Sequence, residues 1–102
     1  MPDSGFKLPV KVEKEAGLLL AELRTAGWHV TASEYDHSAF GNWSVNLQRD
    51  GVVMRVLKDR SQYMVDGLPA EALKAAGLWL AFDSLDEFQI AVTQWANRSL
   101  NS

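Results

Sequence analysis

The dipeptide Asp50-Gly51 stands between two runs in which apolar and polar residues alternate, and it restricts the chain more than any other stretch. An Asp-Gly pair favours the left-handed backbone of a two-residue hairpin turn. Closing that turn sets Arg49 opposite Val52, Leu47 opposite Met54 and Val45 opposite Val56. Residues paired across antiparallel strands project to the same side. Trp43, Val45 and Leu47 therefore join Met54 and Val56 on one face. A second turn, centred on Asp59-Arg60, would pair Val56 with Tyr63 and Met54 with Val65, bringing two more residues onto it. A slip of one residue would scatter the set. Strands are expected over 43–48, 52–58 and 61–66. The alternation of Trp28, Val30 and Ala32 with His29, Thr31 and Ser33 adds one over 28–35, followed by a turn-rich loop over 36–42.

A sheet with one apolar face needs a cover, and the flanking segments supply it. Val12, Ala16, Leu19, Leu20 and Leu23 recur at the helical period, predicting a helix over 10–26. Gly17 either weakens that helix or marks a close packing contact. Gly27 follows the last periodic residue, so a left-handed C-cap would let Trp28 fold back on Leu23. The same device recurs at Leu73, Gly77 and Leu78, closing a short helix over 69–76 that Pro69 opens. Leu78–Phe82 then reads as a buried apolar connector. Ser84 and Glu87 form a capping box ahead of the stripe Leu85, Phe88, Ala91, Val92 and Trp95. The order α-β-β-β-β-α-α predicts a two-layer α+β fold, a four-stranded antiparallel meander sheet with helices packed on one face. Residues 1–9 read as an irregular N-terminal lead-in, 10–96 as a single α+β domain and 97–102 as a flexible C-terminal tail.

The 102 residues hold no cysteine, which removes disulfides, zinc–thiolate sites and thiol nucleophiles together. The start of the chain lacks the pattern of a secretory leader, and no apolar run is long enough to cross a bilayer. A soluble, cytoplasmic protein is the expectation, and on it the tripeptides Asn42-Trp43-Ser44 and Asn97-Arg98-Ser99 are chance matches to the glycosylation pattern. Net charge is −3, spread nearly evenly along the sequence. With no basic block to neutralise phosphates, nucleic acid and anionic membrane are poor partners; the slight acidity favours a basic one.

Chemistry-bearing motifs are scarce. Asp36-His37-Ser38 contains the residue types of a hydrolase triad, but side chains on adjacent backbone positions diverge. Glu34, Asp36 and His37 offer metal-ligand atoms without a metal-site spacing, and a solvated strand end explains them more simply. Asp83, Asp86 and Glu87 suit the start of a helix, where the dipole favours negative charge. No phosphate loop or dinucleotide fingerprint is present. Of the four tryptophans, Trp28, Trp43 and Trp95 fall on apolar stripes, which makes them core residues. No catalytic residue, metal or cofactor is assigned, and the chain is expected not to be an enzyme.

The remaining sheet face is the most informative surface. The register gives it Ser44, Asn46 and Gln48, then Val53, Arg55 and Leu57, then Gln62 and Met64, with Tyr35 from the first strand. An antiparallel sheet can leave one face in water, yet this one is more apolar than solvation requires. Arg55 is expected centrally on it, between Asn46 and Met64, as an unpaired cation. Planar cations among adaptable apolar side chains are common at interface centres. Arg55, Asn46, Val53, Leu57, Met64 and Tyr35 are therefore the candidate partner-binding residues. Trp79, Leu80 and Phe82 form an alternative interface if the connector is exposed. The layout is similar to that of several small bacterial immunity and adaptor proteins, a likeness of architecture and not of motif. A non-enzymatic protein-binding module, with another protein as partner, is the leading expectation. A homo-oligomeric structural or assembly protein, as small as a homodimer, whose sheet faces or edges pair is the second, and a small-ligand binder or motif-free enzyme the third.

Overall fold

Alternation puts the strands where it should. In the computed structural model the described residues are 8–36 and 41–101, the last three as backbone only. Their elements are α1 (Val10–Thr25), β1 (His29–Asp36), β2 (Asn42–Arg49), β3 (Val52–Asp59), β4 (Gln62–Asp66), α2 (Ala70–Ala76) and α3 (Leu85–Asn101). The strands form one antiparallel sheet in the order β1-β2-β3-β4, an α+β meander. Residues 1–7 of the expected 1–9 lead-in lie outside the described residues, as do 37–40 of the expected loop.

The β2–β3 register is the expected one, with Val45 opposite Val56 and Leu47 opposite Met54. Asp50 and Gly51 both have positive φ, 51° and 83°, as the two-residue turn requires. The β3–β4 pairing differs. Val56 faces Val65, and Tyr63 faces Lys58, two residues away from the expected partner Val56. The turn is centred on Arg60-Ser61, whose φ values are 53° and 66°, and not on Asp59-Arg60. A two-residue shift preserves the side to which every residue points, so the apolar face stays whole.

The first strand carries a larger correction. The β1–β2 register jumps between Val30 and Ala32, leaving Thr31 as the extra residue of a β-bulge. Beyond the bulge Ser33 faces Val45 and Tyr35 faces Trp43, on the core side, while Ala32 and Glu34 face Asn46 and Ser44 on the other. Tyr35 therefore leaves the open face to which simple alternation assigned it. The physical reason is charge. Unbroken alternation from Trp28 would have driven Glu34 and Asp36 beneath the helices.

Val12, Ala16, Leu19, Leu20 and Leu23 of α1 and Phe88, Val92 and Ala96 of α3 are buried with the inner sheet residues Trp43, Val45, Leu47, Met54, Val56, Tyr63 and Val65. The two long helices touch each other, α1 packing on β1 and α3 on β4. Phe88 stacks on Tyr63 with ring centroids 5.8 Å apart, and Trp28 meets Trp95 at 5.7 Å. Both short caps form as expected. The Trp28 N–H donates to the Leu23 carbonyl and the Leu78 N–H to that of Leu73, with φ of 98° at Gly27 and 75° at Gly77. The Ser84 hydroxyl accepts the Glu87 N–H at 3.2 Å, as in a capping box. The backbone of α3 stays helical through Asn101, over residues 97–101 expected to be tail. No helix among the described residues is long and apolar enough to cross a membrane.

Candidate functional site

The side of the sheet away from the helices is laid out by strand pairing alone. One row across it reads Asp36, Asn42, Asp59 and Gln62; the next Glu34, Ser44, Leu57 and Met64; the third Ala32, Asn46, Arg55 and Asp66. Gln48 and Val53 begin a fourth. None of these side chains is fully buried, and Val53 is 50% exposed. Asn46, Arg55, Val53, Leu57 and Met64 thus share the open face, as the sequence implied, and Tyr35 does not.

Arg55 was expected to be an unpaired cation beside Met64. It instead faces Asp66, with its Nη2 donating to Oδ2 at 2.6 Å. The other Asp66 oxygen accepts the Gly67 N–H at 2.7 Å. The Arg55 hydrogen bond is the largest influence holding the Asp66 carboxyl below its usual range, with the Gly67 N–H second. Both side chains stay about half exposed, so the pair contributes little to stability, ~0–1 kcal/mol. It does hold the guanidinium in one place.

A shallow depression of about 780 Å³ lies at the end of this face where β1 finishes and β2 begins. Glu34, Asp36, Ser44, Arg55, Leu57 and Asp59 line it, and Tyr35, though its register position is on the core side, borders it too. Asn42 fixes this end: its Nδ2 donates to Asp59 Oδ1 at 3.3 Å, and its Oδ1 accepts the Arg60 N–H at 3.0 Å.

The connector 78–82 is only partly buried. Leu78 sits in the core, but Trp79 and Leu80 are 54% and 53% exposed. Phe82 packs against the core and exchanges both backbone hydrogen bonds with Tyr63, each at 2.8 Å, which covers part of the β4 edge. The Lys74 ammonium lies 5.3 Å from the Trp79 ring centroid, a cation–π contact.

One cluster escaped the sequence reading. On the helix side, the Glu15 carboxylate accepts from Trp43 Nε1 at 2.8 Å, Lys58 Nζ at 2.9 Å and the Tyr63 hydroxyl at 2.9 Å. Burial alone would push its pKa up, but the three donors together outweigh burial and lower it. Burial and then the Glu15 carboxylate push the Tyr63 phenol up to about 12. The carboxylate is ionised and saturated with donors, so it ties α1 to three strands and is poorly suited to accept a substrate proton. The available signal was Lys58, which shares its parity with Met54 and Val56. An inward-pointing ammonium requires an acid.

Of the weaker motifs, His37 and Ser38 lie outside the described residues. Among the described residues, no three His, Cys, Asp or Glu side chains are grouped to hold a metal ion. Asp83 accepts from Gln62 Nε2 at 2.9 Å, joining the start of α3 to β4. Comparison with protein-family models, curated proteins and solved structures finds no match for this chain.

Proposed function

We propose that this chain is a non-enzymatic protein-binding module of the cytoplasm that docks its partner on the open sheet face. The observation that carries the reading is the composition of that face. Val53 stands exposed on it and Leu57 and Met64 partly exposed, around an arginine already held by Asp66. Apolar side chains left at a water-facing sheet surface cost solubility, and an oriented guanidinium among them suits the centre of an interface. The absence of cysteine suits a reducing compartment.

Affinity capture with tagged variants tests this. Val53→Gln and Leu57→Gln should lose the partner with little change in melting temperature, because both side chains reach solvent and neither substitution alters the charge of the face. The exposed Trp79–Leu80 step favours a second reading, in which the connector is the interface. Loss of the partner in Trp79→Ala, with retention in both sheet variants, would select it.

A further inference from the structure

We infer that the segment docking on the open face is a stretch of protein rich in lysine and arginine; the inference rests on the reading of that face as the docking surface. Pairing and alternation place four acids on it, Glu34, Asp36, Asp59 and Asp66, and one base, Arg55. The whole chain has 13 acids and 10 bases. Subtracting the face leaves nine of each, so the formal charge of −3 belongs to this one surface.

The arrangement of the acids matters as much as their number. Leu57 and Met64 are paired neighbours, half-buried. Asp59 follows Leu57 on the same side of β3, Asp66 follows Met64 on the same side of β4, and Glu34 closes the row across Ser44. Lysine and arginine match such a surface: the methylene stem covers the apolar pair while the charged head reaches a flanking carboxylate. An acidic segment would meet like charge from three strands, and such juxtaposition penalises wrong partners. The bulge at Thr31 is what turns Glu34 and Asp36 to this side.

The test uses a fluorescein-labelled decapeptide of alternating lysine and alanine, its glutamate counterpart, and the intact chain. Anisotropy at low salt should show binding of the lysine peptide only. Amide chemical shifts should move along β3 and β4 around Leu57 and Met64. Glu34→Gln with Asp59→Asn keeps the hydrogen-bonding atoms, including the acceptor for Asn42, and should weaken binding about tenfold. Glu22→Gln with Glu71→Gln changes net charge equally on exposed helix positions and should leave it nearly unchanged. Equal weakening by the two pairs, or shifts confined to another surface, would overturn the inference. A captured partner that is lost with Val53→Gln but indifferent to both Glu34→Gln/Asp59→Asn and salt would overturn it too, while leaving open-face docking in place.

Discussion

At the scale of single residues, similar-looking positions call for opposite expectations. Gly77 has a φ of 75° and open space where a Cβ would go. Its cost to alanine is backbone strain alone, so Gly77→Ala should destabilise by on the order of 1 kcal/mol. Gly17 lies inside α1, and an added Cβ would meet only the Glu13 carboxylate, at 3.2 Å. That is the free end of a flexible side chain, so Gly17 does not mark a close packing contact. Gly17→Ala should stabilise by up to about 1 kcal/mol, and denaturant midpoints of the two variants should move in opposite directions. Glu15 allows a test by pH. Its folded pKa is lowered, so its contribution is present above the unfolded value and is lost as pH falls through the folded one. Glu15→Gln should cost about 1–3 kcal/mol at neutral pH and flatten the acid limb of the stability profile. Tyr63 acts at the other end. With its pKa raised from 10.0 to about 12, the neutral phenol is favoured in the folded state and stability falls as pH rises across that window. The tyrosinate absorbance step near 12 should disappear in Tyr63→Phe.

At the scale of elements, what could be read from the sequence was parity, and what could not was register within a parity. Trp43, Val45, Leu47, Met54, Val56, Tyr63 and Val65 all lie on the helix side, because a two-residue shift moves no side chain across the sheet. The partner of Arg55 changes from Met64 to Asp66 under that same shift, so the open-face ion pair was invisible to alternation. Asn46, Val53, Leu57 and Met64 were placed correctly for the reason the core was. Tyr35 was not, since a bulge inverts everything beyond it; Glu34 and Asp36 are exposed, as a solvated strand end requires. The bulge's sequence signal is the conflict between Val30 and Glu34, which unbroken alternation puts on one side. The second turn explains itself only by backbone angle. Arg60 and Ser61 take positive φ without a glycine, at a cost of ~1–2 kcal/mol per residue, because the pairing of Asp59 with Gln62 leaves these two to close the loop. Ser61→Gly should therefore raise the denaturant midpoint, corresponding to ~1 kcal/mol. A lower midpoint would mean that the serine side chain contributes more than the strain it imposes.

At the scale of the whole molecule, the charge distribution bears on whether two copies pair through their sheets. A two-fold dimer would set the open face of one copy against the same patch of the other. With the formal −3 confined to that surface, such a pairing brings two like-charged faces together while desolvating Arg55 and Asp66 twice over. The apolar gain available is modest, because Leu57 and Met64 are already half-buried in the monomer. Repulsion within a Debye length of about 10 Å at 0.1 M salt opposes contact, and is relieved as salt rises. Sedimentation equilibrium at low ionic strength should accordingly return the monomer mass of 11.3 kDa. Self-association through the sheet, if any, should grow with salt, the reverse of the salt dependence expected for a basic partner. Glu34→Gln with Asp59→Asn should increase it. A dimer that forms at low salt and dissociates with Val53→Gln would show that apolar contact outweighs the repulsion, and would make the open face a self-association surface.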